Sequence, residues 1–143
     1  MPSIRDRVRV IPAAELASME RTADAAIEEM RNAYRAAGRE SVDRLQRLVQ
    51  SQDAAENPHD EIYRLAHDLK GQGATFGQEL VTVIAASLCK LIRAGNKVNG
   101  ADFAKRAVAH CEAIRVVLDK DIRGMGGDHG TALLKVLAIT HSS

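Results

Sequence analysis

Aromatic residues are almost missing from this chain, which has two Phe, two Tyr and no Trp among 143 positions. A core must then be filled by Leu, Ile, Val, Ala and Met, which favours helices packed on helices. An excess of one charge sign is missing too. Twenty Lys and Arg stand against 19 Asp and Glu, so general binding to a phosphate backbone, which needs a basic excess or a basic face, is not expected. The only cysteines are Cys89 and Cys111, with no CxxC pair and no Cys/His cluster. No secretory signal is visible, so they read as reduced core thiols of a cytoplasmic protein. No apolar run approaches the roughly 20 residues that a membrane span requires. What remains is a chain with 45% hydrophobic and 27% charged residues, the balance of a soluble globular domain.

Helical periodicity organises most of it. Residues 1–12, "MPSIRDRVRVIP", read as an extended arm ending at Pro12. From Ala13, Leu16, Ala23, Ile27, Met30, Tyr34, Val42, Leu45 and Val49 recur at steps of three and four. The phase survives Gly38, which leaves either one helix over 13–51 or two helices broken there. As one helix it would rise about 57 Å, enough to leave a part for pairing with a second copy. "SQDAAENPHDE" is a loop running into a helix start, with Asn57 as cap, Pro58 at the first position and Asp60 and Glu61 in the first turn. This second helix is expected to reach Gly73. A third spans about 77–94 on the stripe Leu80, Ile84, Leu88 and Leu91, with Gly95 as its stop. Asn99 caps a fourth that repeats Phe103, Ala107, Cys111, Ile114 and Leu118. "RGMGGDHG" breaks the pattern before a short last helix, "TALLKVLAIT". The expected fold is all-α: an antiparallel four-helix bundle over 13–124 with a long N-terminal helix, then a linker and a short helix over 125–143.

One stretch stands out, "HDLKGQG" at residues 67–73. On a wheel turning about 100° per residue, Ile62, Leu65, Ala66, Leu69, Gly73 and Phe76 share one buried arc. His67 points away from it, flanked by Tyr63, Lys70, Gly71 and Ala74, with Arg64 at the edge. Neutral imidazole is a nucleophile, and a lysine one turn on becomes a counter-ion once the ring carries a phosphoryl group. Glycine weakens a helix interior by roughly 1 kcal/mol relative to Ala, so Gly71 requires a reason. Its missing side chain clears the face next to the imidazole.

At these residues the sequence resembles the histidine phosphotransfer (HPt) domains of bacterial phosphorelays, whose signature is His-x-x-Lys-Gly on a bundle helix. Here it stands as "HDLKGQGATFG", and "VIAASLCKLI" is similar to the family's next helix. The likeness is specific over about 58–95, weaker to about 122, and places the phospho-site core within 39–122. The resemblance implies that His67 is the phosphoacceptor, Lys70 the phosphate-stabilising cation and Gly71 the clearance residue. It also implies a receiver-domain partner docking over this face through Tyr63, Arg64 and Ala74, with magnesium held in the receiver and no cofactor or metal here. A glutamine of the next helix often orients the imidazole in this family. The comparable region offers Ser87, Cys89 or Lys90. With no glycine-rich nucleotide loop, the chain is expected to relay phosphate between receivers as a stand-alone protein without autokinase activity.

The plainer readings stay beside this one. His59 reads as a surface residue, and His129 and His141 sit in loop and tail. His110 next to Cys111 invites a metal site with Cys89, but adjacent residues face different sides of a helix. Arg5, Arg7 and Arg9 form a small arm, better read as solvated than as a nucleic-acid contact. The alternative functions are an adaptor or dimerisation module that binds receivers without transferring, and a helical DNA-associated regulator.

Overall fold

The computed structural model describes residues 10–51, 58–94 and 100–139. Asn57, Gly95, Asn99, His141 and the arginines of the arm lie outside them. The described residues form five helices and no strand: α1 Ala13–Gln50, α2 Pro58–Thr75, α3 Glu79–Arg93, α4 Gly100–Asp119 and α5 Gly127–Val136. The expected all-α class is what the chain adopts. The chain divides into two compact units, Met1–Ala33 and Tyr34–Ser143.

Pairwise contacts within the second unit set the directions of α1 to α4. Arg39 meets Asp119 at 3.2 Å and Arg115 meets Asp43 at 2.7 Å, so α1 and α4 run antiparallel. Ser87 bonds His110 and Gln78 bonds the Val117 carbonyl, which makes α3 and α4 antiparallel. Arg93 bonds Tyr63 while Thr82 bonds the Lys70 carbonyl, so α2 and α3 are antiparallel as well. Arg44 on Glu61 at 2.5 Å closes the ring between α1 and α2. That bond is the main reason the Glu61 carboxyl is held below its usual range. The core is aliphatic: Leu45, Leu69, Leu80, Ile84, Leu88, Ile92, Ile114 and Leu118 are fully buried. Each contributes about 1.5–3 kcal/mol relative to an exposed side chain.

α1 is one unbroken helix through Gly38. A Cβ there would sit 3.1 Å from Leu118 Cδ1, so the glycine lets α4 approach rather than ending α1. Tyr34, one turn earlier, stacks on Phe76 with centroids 4.4 Å apart.

The ends of the helices differ from the expectations by a few residues, for visible reasons. α2 continues to Thr75 and closes in a Schellman turn: Gln78 N–H donates to Gly73 O, Gly77 N–H to Ala74 O, and Gly77 takes φ +75. α3 then begins only at Glu79. Gln78 precedes it without a side-chain cap bond. The segment after α4 does the capping instead: Leu80 N–H donates to the Gly124 carbonyl at 3.0 Å, and Gly124 N–H donates to Gly77 O at 2.8 Å. The linker of the glycine-rich break is thus stitched to the α2–α3 turn, and α5 follows with Leu134 and Gly130 buried.

Candidate functional site

The outward face of α2 carries the candidate site. Ile62, Leu65, Ala66 and Leu69 are buried and Gly73 with them, while Phe76 is half-buried. His67, Lys70, Gly71 and Ala74 are exposed, as is Arg64, and Tyr63 is half-buried. The structure therefore brings all six candidate residues onto one face, with the imidazole in solvent. Arg64 is drawn along the helix to Asp68, 3.6 Å away.

The two glycines of "KGQG" have opposite environments. Nothing lies within 4 Å of a Cβ built on Gly71, so the space beside His67 is open. A Cβ on Gly73 would meet Thr82 Oγ1 at 2.7 Å, and Gln78 O and Thr82 N at 2.9 Å. Gly73 is the point where the first turn of α3 presses on α2. Thr82 fixes that approach, its hydroxyl donating to the Lys70 carbonyl at 2.8 Å.

Across the seam, α3 supplies cations. Lys90 and Arg93 are both exposed. Burial pushes the Cys89 thiol above its ordinary pKa, while the charges of Lys70 and Arg93 pull the other way. Arg93 donates a hydrogen bond to the Tyr63 hydroxyl, the main cause that raises the Arg93 pKa, and its guanidinium carbon lies 5.1 Å from the Tyr63 ring centroid. The Tyr63 ring in turn lies 6.0 Å from the imidazole of His67, tilted by 31°.

The candidates for orienting the imidazole fare differently. Ser87 is engaged elsewhere: its hydroxyl lies 2.9 Å from His110 Nε2. His110 Nδ1 lies 2.7 Å from the Arg106 carbonyl, which makes Nδ1 the donor and leaves Nε2 to accept from Ser87. Burial lowers the His110 pKa, and the ring is a satisfied core residue between α3 and α4. Cys89 and Cys111 are free and buried, the latter thiol pushed up to about 12. No group of three or more metal-ligating side chains occurs among the described residues. His59 is half-buried and His129 exposed.

Arg93 is the residue of this face that sequence reading passed over. The signal was available in the hairpin geometry, since two antiparallel helices joined near residue 77 bring position 93 opposite position 63. Among the described residues, no helix is long and apolar enough to cross a membrane.

A family model described as "Hpt domain" matches residues 16–119, most of the chain. Comparison with curated proteins and with solved structures returns no match.

Proposed function

The chain belongs to the Hpt domain family, the histidine phosphotransfer modules that meet receiver domains in phosphorelays, and on that premise we propose that His67 is its phosphoacceptor in a relay between receivers. The observation that carries this reading is the exposed imidazole with Lys70 on the same face and open space at Gly71. A receiver's aspartyl phosphate meets the ring. A lone pair of an imidazole nitrogen forms the N–P bond in line as the acyl-phosphate P–O bond breaks, and that electron pair stays with the aspartate carboxylate. The reverse step onto another receiver's aspartate passes the group on.

This chain's part is to hold the nucleophile in place and to supply cations beside the phosphoryl oxygens. Magnesium and most of the charge stabilisation belong to the receiver, and no cofactor is needed here. Tyr63, Arg64 and Ala74 border the imidazole and form the near part of the docking surface. The same reading includes a cytoplasmic location and no autokinase activity. The non-transferring adaptor is its competitor, and transfer itself separates the two.

Two substitutions probe the roles of the neighbours. Lys70→Ala is expected to slow transfer or shorten the phosphohistidine lifetime, with binding retained. Gly71→Gln is expected to slow transfer by about tenfold or more through crowding, whereas Gly71→Ala should leave the fold intact or stabilise it by up to about 1 kcal/mol. Rapid-quench transfer from a phosphorylated receiver, read beside thermal melts, gives both quantities. Full-rate transfer by Gly71→Gln would remove clearance as the reason for the glycine.

Self-association is a further part of the proposal. Leu16, Met19, Ile27 and Met30 are exposed on α1 and fall within an arc about 80° wide, the stripe of a pairing helix. Sedimentation equilibrium should show a dimer, and Leu16→Glu with Met30→Glu should return a monomer that still transfers. A wild-type monomer at high micromolar concentration would rule the dimer out.

A further inference from the structure

His67 has the freedom that its task does not tolerate. An exposed histidine turns about two soft side-chain torsions, yet in-line attack requires the ring nitrogen to be aimed. Among the described residues no side chain hydrogen-bonds the ring, Ser87 being committed to His110. The aromatic neighbour of the imidazole is Tyr63, one turn towards the helix N-terminus. Long side chains on a helix lean in that direction, onto the residue four positions earlier, so His67 settles against the Tyr63 ring.

Tyr63 is itself held. Its hydroxyl accepts from Arg93, and the Arg93 guanidinium lies at 5.1 Å from its ring centroid, an arrangement that adds cation–π attraction to the hydrogen bond. Arg93 comes from the last turn of α3, where the helix dipole favours a cation. A line of three side chains therefore crosses the α2–α3 seam and ends on the imidazole.

We propose that Tyr63, clamped by Arg93, is a positioning residue that sets the direction of the His67 ring. The proposal deepens the phosphotransfer reading and rests on it. It also separates two roles for Tyr63. A residue that only touches the receiver changes affinity, whereas a clamp changes the ring itself and the rate at saturating receiver.

The test uses the full chain with Tyr63→Leu, Tyr63→Phe, Arg93→Met and the Tyr63→Phe/Arg93→Met double variant. Histidine ring signals are followed by NMR, with His67 assigned by its disappearance in His67→Gln. In the wild type the His67 ring protons should be shifted by the Tyr63 ring current, and Tyr63→Leu should abolish that shift. Tyr63→Phe and Arg93→Met should move the signals by similar, smaller amounts. In single-turnover transfer at receiver concentrations that saturate each variant, Tyr63→Leu should lose about tenfold in rate and the other single variants about threefold, whatever change in receiver Kd accompanies the loss. The double variant should be no slower than either of its singles, because both break one clamp. Tyr63→Phe and Arg93→Met keep the packing, so the coupling stays readable if Tyr63→Leu fails to fold. Unchanged His67 signals in a folded Tyr63→Leu protein would overturn the clamp, as would a loss confined to Kd or additive effects in the double variant. If no receiver phosphorylates the wild type, the phosphotransfer reading falls while the ring signals still decide the clamp.

Discussion

His67→Gln is expected to abolish phosphoryl transfer and to leave the fold and receiver binding almost untouched. The imidazole is exposed and accepts no hydrogen bond from the described residues, so its removal costs little, within about 0.5 kcal/mol. Glutamine keeps polarity and approximate bulk but has no basic nitrogen lone pair to attack phosphorus. Incubation with a panel of phosphorylated receivers should give acid-labile, base-stable label on the wild type and none on the variant. Label of equal intensity on His67→Gln would end the assignment of His67. A wild type that binds receivers and takes up no label from any of a complete cognate panel would be an adaptor with a relay's surface.

Gly73→Val is expected to have the largest effect on stability, about 3 kcal/mol. The added atoms would run into Thr82 Oγ1, Gln78 O and Thr82 N, and two of these are backbone that cannot turn aside. Moving α3 away would break the Thr82 bond to the Lys70 carbonyl and loosen the Schellman turn at Gly77. In a domain of this size that loss lowers Tm by roughly 8–15 °C. Gly71→Val is the matched control, since it adds the same side chain two residues away into open space. Melts of the two variants side by side decide the matter. Equal Tm values would mean that the α2–α3 contact is softer than its geometry indicates.

Those two glycines also mark the limit of what a sequence discloses. That the chain is helical, and which face of α2 is buried, followed from aliphatic spacing and the scarcity of aromatics, because 3.6-residue periodicity is a local property. Gly71 and Gly73 look alike in sequence. Only the approach of α3 distinguishes the one that clears a surface from the one that admits a neighbouring helix. Gly38 was undecidable for the same reason: its cost to α1 is local, and its compensation is Leu118, far along the chain. Ser87 was a candidate for orienting His67 until the position of His110 on α4 showed where its hydroxyl goes. Arg93 was missed because its partner belongs to a different helix, while the short motif that draws attention to His67 lies wholly on α2.

The hydrogen bond from Leu80 to Gly124 bears on how this module can be moved between proteins. The family likeness stops at residue 119, yet the carbonyl that caps α3 comes five positions later, and Gln78 Nε2 reaches Asp121 Oδ1 at 3.2 Å. A graft cut at the end of the likeness would sever both, leaving the hairpin that presents His67 frayed at its turn. The transplantable piece runs on at least to Gly124, because the scaffold of the proposed phosphotransfer face is completed by chain that the shared pattern does not contain.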